Sequence, residues 1–155
     1  LLTNFAASLF SLGFVYKNMD RVDKTKELWR WAYAFRPDDF IFMYNIGMLY
    51  MQTANYDTCL YYLQEVEANG FKDPRLFFTM AGCYQAIGNN IRAEEYLKKT
   101  IAAQPRFRDA YELLVAIYIA ADRINEAIGV LNGWLKIAPN DTLARKMVEE
   151  LSAKR

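Results

Sequence analysis

Apolar residues recur along this chain at helical rather than strand spacing. Met43, Ile46, Gly47, Tyr50 and Ala54 fall at i, i+3, i+4, i+7 and i+11, one stripe of a helix, and Asn55 supplies a turn residue before Tyr56 opens a second stripe. Further on, Gly88-Asn89-Asn90 is a stop-and-restart signal between predicted helices at 75–87 and 91–103, with Gly88 suited to the left-handed residue after a helix end. Gln104-Pro105 closes the second of these, because proline disfavours the α conformation of the residue before it. No alternating apolar run with a hairpin turn occurs, so the pattern predicts an all-α chain built from helical hairpins.

The stripes keep a fixed period. Pro37, Pro105 and Pro139 are spaced by 34 or twice 34 residues, and only Pro74 is out of phase. Counted in 34s, the units are 6–39, 40–73, 74–107 and 108–141, followed by 142–155. With the places of each unit numbered from 1, place 11 reads Tyr16, Tyr50, Tyr84, Tyr118, and place 7 reads Leu12, Ile46, Met80, Leu114. Place 8 reads Gly13, Gly47, Ala81, Val115 and place 20 reads Thr25, Cys59, Ala93, Ala127, so small residues recur where two helices approach most closely. Place 24 is large throughout: Trp29, Leu63, Leu97, Leu131. A single hairpin cannot bury both of its faces, which requires neighbouring units to stack.

This column pattern resembles the tetratricopeptide repeat, a 34-residue helix-turn-helix unit, and the resemblance covers 6–141. It implies an all-α, right-handed superhelical solenoid of about four repeats in a single domain. Departures are Val115 at a small place, Phe71 for the terminal proline of the second unit, and Val66, Thr100 and Trp134 where place 27 is small, as in Ala32. In 142–155, Leu143, Met147 and Leu151 repeat every four residues with Arg145, Lys146, Glu149 and Glu150 on the other side, which predicts a C-terminal capping helix. No polar cap precedes the first unit: Leu1, Leu2 and Phe5 lead straight into Leu9, Phe10 and Phe14. The chain opens on Leu1 rather than methionine, so it is expected to be part of a longer protein. Either further chain or another subunit covers this start, or the truncation itself exposes it.

The resemblance also implies a binding groove lined by places 2, 5, 9 and 12 of each first helix. In the first two units this brings Ala7, Phe10, Phe14, Lys17, Ile41, Tyr44, Met48 and Met51 to the groove. The third contributes Arg75, Phe78, Gly82 and Gln85, and the fourth Asp109, Glu112, Ala116 and Ile119, acidic at its rim. Asn45 adds a groove amide. The partner-binding candidates are therefore Phe10, Phe14, Tyr44, Asn45, Met48, Met51, Arg75, Phe78 and Gln85. Flexible methionine beside rigid aromatics suits an apolar helix face or extended peptide. Phe10, Phe14 and Phe78 fit core packing equally, whereas Ile46 and Tyr50 already meet the packing demand beside Tyr44, Met48 and Met51. The two-carboxylate clamp with which some members of the family grip acidic chaperone tails is not assembled: the first unit has Phe10 and Phe14 in place of its lysine and asparagine, and Thr79 replaces its arginine.

Composition narrows the function. A chain of 155 residues buries roughly 68–70% of its unfolded surface and needs no disulfide framework. Nineteen Lys+Arg against eighteen Asp+Glu give a net charge of +1, without the basic excess of a nucleic-acid binder. The absence of histidine removes the commonest general base and metal ligand, so no enzyme, metal or cofactor is expected. Cys59 and Cys83 read as buried core thiols ahead of a redox pair, and Asp38-Asp39 as a helix N-cap. Glu94-Glu95 beside Lys98-Lys99 read as helix-surface pairing. The longest apolar run, 113–121, is about half of the roughly 20 residues that span a bilayer, so this segment inserts in no membrane. The compartment stays unknown, the cytoplasm slightly favoured. The expected function is a protein or peptide-binding scaffold; the alternative is a structural module that self-associates through its N-terminal edge or packs on the rest of a larger protein.

Overall fold

A computed structural model describes residues 2–153, which form nine helices: α1 Leu2–Asn18, α2 Val22–Phe35, α3 Phe40–Gln52, α4 Tyr56–Ala68, α5 Pro74–Ala86, α6 Asn90–Ala103, α7 Arg108–Ala120, α8 Ile124–Ile137 and α9 Thr142–Ser152. No strand occurs among the described residues. Leu1 and the last two residues of the expected cap lie outside them, as does the side chain of Leu2. The protein is an all-α helical repeat. Its helices fall into two compact units, Leu1–Lys72 and Asp73–Arg155.

The period is written in the helix ends. Helices α3, α5, α7 and α9 begin at 40, 74, 108 and 142, always at place 1. Three of these starts are capped by an aspartate one residue earlier: Asp39 accepts from the amides of Ile41 and Phe42, Asp73 from Arg75 and Asp141 from Ala144. Asn55 and Asn89 do the same for α4 and α6. Between the two helices of each hairpin, place 15 is left-handed in all four: Asp20, Ala54, Gly88 and Asp122. The following amide then reaches back to the carbonyl of the place-11 tyrosine at 2.8–2.9 Å, satisfying an acceptor that the helix end would leave open. Gly88 adopts this turn without a Cβ penalty; Ala54, at φ 54°, does not.

In the first unit one core cluster joins Ala6 and Phe10 of α1, Trp29 and Ala32 of α2, and Phe42, Ile46 and Leu49 of α3. Gly13 makes the closest approach. A Cβ built there would lie 2.1 Å from Trp29 Nε1, so only glycine lets the indole onto the α1 backbone. The indole donates to the Phe10 carbonyl at 3.0 Å, and Thr25 donates to the Gly13 carbonyl at 3.3 Å. Both bonds satisfy buried polar groups across the hairpin.

In the second unit α5 and α6 bury Leu76, Met80, Ala93 and Leu97, with Tyr84 stacked on Tyr96. The expected pair Glu94–Lys98 forms at 2.6 Å, but Glu94 is also reached from the next hairpin. Arg123 Nη1 donates to it at 2.7 Å and Tyr118 Oη at 2.8 Å, while Arg123 Nε holds Glu126. Burial alone would raise the Glu94 carboxyl; the bonds from Arg123, Lys98 and Tyr118 outweigh it and hold the group at about 2, against 4.5 unperturbed.

The capping helix differs from its expected face. Leu151 and Ala144 are buried, but Leu143 is 56% exposed. A four-residue step turns about 40° past a full turn, so Leu143 and Leu151 diverge by about 80° around the helix.

Three substitutions test this account of stability. Gly13→Ala should destabilise by about 1–3 kcal/mol through overpacking, whereas Ala54→Gly should stabilise by about 0.5–1 kcal/mol by relieving the left-handed turn, both read from urea unfolding midpoints. Because the folded Glu94 carboxyl titrates below its unfolded value, its contribution is full above about pH 4.5 and is lost as pH falls toward 2. Glu94→Gln should therefore cost about 1–2 kcal/mol at pH 7, discounted because Arg123 and Lys98 stand largely in water, and should flatten the stability profile across that acid window.

Candidate functional site

On α3 the core demand is met by Phe42, Met43, Ile46, Gly47 and Leu49, all buried. Tyr44, Met48 and Met51 lie at i, i+4 and i+7 on a different face and remain half-buried, an apolar stripe with solvent on one side. Asn45 is beside them, and its amide donates to the Ile41 carbonyl at 2.7 Å, a bond internal to the helix. In the same unit Phe10 is a core residue, 8% exposed, its ring stacked 4.2 Å from Phe42 and 5.1 Å from Trp29. Phe14 meets Phe10 and Trp29 edge-on at 5.1 and 5.0 Å and is 38% exposed. Of the aromatics at places 5 and 9 of α1, then, Phe14 alone presents a face to solvent.

In the second unit the candidates on α5 are dispersed in character. Arg75 is exposed and paired with Asp73 at 3.0 Å; Phe78 is half-buried against Phe107 at 5.0 Å; Gln85 is exposed. A formed cavity appears instead between α7, α8 and α9. It measures 330 Å³ and is lined on α7 by Glu112, Ala116 and Ile119, the places 5, 9 and 12 of the fourth unit. Leu131 and Trp134 of α8 and Leu143 and Met147 of α9 complete the walls. Trp134 lies 5.1 Å from the Tyr111 ring and donates to Asp141 at 2.9 Å. Asp141 therefore both caps α9 and fixes the indole. The Ala144 amide, and after it the indole, hold its carboxyl below the usual range, so it is charged at neutral pH. Arg108 bridges the rim, 2.6 Å from Glu112 and 3.3 Å from Asp141.

Sequence reasoning placed Glu112, Ala116 and Ile119 on the groove stripe without choosing them, and passed over Trp134. The signal was present: at two places that are small in the repeat pattern the fourth unit carries Val115 and Trp134, and both line the cavity. Trp31 was also missed. It is more than half exposed on α2 and lines a more polar recess of 480 Å³ with Arg30, Lys26 and Tyr50. Lys26 Nζ lies 5.2 Å above the Tyr50 ring.

Among the described residues no group of three His, Cys, Asp or Glu side chains is placed to hold a metal ion. Cys59 and Cys83 are both buried, one in each unit. No helix of the described residues is long and apolar enough to cross a membrane.

Residues 84–151 match the family model of the tetratricopeptide repeat. No curated protein sequence matches the chain. Among solved structures, MamA superposes with a TM-score of 0.82 at 15% identity, over 94% of this chain and 80% of that one. YrrB, a TPR protein with an unusual peptide-binding site, gives 0.76 at 12% identity over 94% of this chain and 75% of that one. The APC/C hetero-tetramer Cut9-Hcn1 gives 0.71 at 14% identity, over 94% of this chain and 29% of that one. At these identities the likeness is one of fold.

Proposed function

We propose that this chain, whose residues 84–151 match the tetratricopeptide-repeat family model and whose fold matches that of such repeat proteins over nearly all of its length, is a noncatalytic scaffold that binds a peptide segment or helix of a partner protein on the apolar stripe of α3. Proteins of this repeat family are generally non-enzymatic interaction scaffolds. The observation that carries the finer reading is Tyr44, Met48 and Met51: three large apolar side chains that stay only partly buried although the core beside them is already filled. Methionine adapts its shape to a partner and tyrosine adds area at low entropic cost, a composition enriched at interfaces. Phe14 extends the apolar surface on α1, while Phe10 supports it from below. That YrrB has a peptide-binding site, and that Cut9-Hcn1 is a hetero-assembly, accord with the same use of the fold.

A second reading is favoured by α1. In α3 and α7 places 3, 7 and 10 are buried: Phe42, Ile46 and Leu49, then Ala110, Leu114 and Ile117. Their counterparts on α1 are Ser8, Leu12 and Val15, all exposed, with Met19 and Phe5 continuing the strip. An apolar face of this kind supports self-association or packing onto another helix.

Selection of a displayed random-peptide library on the wild-type chain should yield binders that a Tyr44→Ala/Met48→Ala variant, verified to melt cooperatively, loses by at least about 30-fold, since a central aromatic anchor is worth about 2 kcal/mol or more. Binders unaffected by that variant would remove the α3 stripe from consideration. If α1 mediates self-association, sedimentation velocity should show a concentration-dependent dimer that Leu12→Glu/Val15→Glu abolishes; a monomer at all micromolar concentrations excludes it.

A further inference from the structure

The cavity between α7, α8 and α9 has a chemistry unlike that of the α3 stripe. Its walls are apolar, from Val115, Leu131, Trp134 and Met147, and its 330 Å³ lies at the low end of the roughly 300–1,000 Å³ of small-molecule pockets. It does not close over its contents, because Ile119 and Leu143 stand exposed at the mouth. A free small molecule needs about 70–90% of its surface enclosed. A side chain delivered by a larger binder does not, since the rest of the binder covers the rim.

Charge selects among such binders. The lining holds one cation, Arg108, against two carboxylates, Glu112 and Asp141, and Asp109 follows Arg108 on α7. Asp141 is committed to the Ala144 amide, the Trp134 indole and Arg108. Glu112 is held by Arg108 through Oε1, and its side chain is 59% exposed. A basic group beside the cavity meets that carboxylate, whereas an acidic one meets an excess of like charge. The walls are also set in advance. Trp134 is held by Asp141 and by the Tyr111 ring, and the same aspartate fixes the first turn of α9, so little ordering remains for the moment of binding.

We propose that this cavity is a docking site for one bulky apolar side chain of a partner peptide that carries a lysine or arginine next to it. The site lies wholly within the second unit and is separate from the α3 stripe; it shares with the scaffold reading only that its ligand is a peptide.

The test titrates the ¹⁵N-labelled chain with three short glycine–serine peptides: one with phenylalanine between two lysines, one with phenylalanine between two glutamates, and one with alanine between two lysines. The first should bind saturably, with amide shifts centred on 108–119, 131–134 and 141–147. Exchange of lysine for glutamate should weaken binding at least about fivefold, and loss of the phenylalanine at least about tenfold. Ala116→Phe, which places a ring in the cavity from an exposed position, should weaken the first peptide about tenfold. Glu112→Lys, a surface change that keeps the fold even if Ala116→Phe does not, should reverse the preference between the lysine and glutamate peptides. Tyr44→Ala/Met48→Ala should leave all of this unchanged, which separates failure here from failure of the α3 reading. Equal binding of the three peptides, shifts outside the second unit, or no saturable shift up to about 1 mM peptide would overturn the proposal.

Discussion

A tryptophan ring can lie against the backbone of a neighbouring helix only where that helix has no side chain, and Gly13 opposite Trp29 is where α1 and α2 meet that condition. The same pairing of place 8 with place 24 recurs in the next hairpin, where Gly47 lies against Leu63; in the third and fourth the two places hold Ala81 and Leu97, then Val115 and Leu131. In all four hairpins the left-handed turn at place 15 sets how the chain returns to this contact. The series from glycine to valine has a consequence in packing. Where Val115 takes the small place, it is one of the residues that line the cavity between α7, α8 and α9.

On α3 and α7, where places 3, 7, 8 and 10 fill the core, places 5, 9 and 12 stay partly in solvent and their chemistry is free to vary. The two units use that freedom differently. On α3 it takes the form of Tyr44, Met48 and Met51, one ring beside two flexible thioethers. On α7 it is Glu112, Ala116 and Ile119, where the small central residue makes a recess and the acid marks its rim. A repeat architecture thus leaves positions whose chemistry differs from one hairpin to the next, in side chains that the fold does not need.

Much of the architecture was legible because the backbone repeats: the period, the hairpin turns and the Asp39 cap all follow from local residue types. Gly88 announced its left-handed turn, but Asp20, Ala54 and Asp122 adopt the same conformation with no such marker, compelled by the fold around them. The Glu94–Lys98 pair could be read from helical spacing. Its other partners, Tyr118 and Arg123, lie 24 and 29 residues away and become neighbours only when hairpins stack. Phe10 shows the limit for the site. It occupies the same place 5 as Tyr44, yet Phe42 and Trp29 enclose it, because its exposure is decided by the size of residues on two other helices.

Departures from a repeat therefore carry more functional information than conformity to it. A residue that keeps the pattern is explained by packing and says nothing of partners. Trp134 breaks the pattern at a place filled elsewhere by Ala32, Val66 and Thr100, all fully buried. Its indole cannot be enclosed in the space those residues occupy, so it turns to Asp141 for a hydrogen bond and to Tyr111 for a ring contact, and presents the rest of its surface to the recess under α9. A large aromatic anchored at one end and open at the other is the feature from which binding pockets are made.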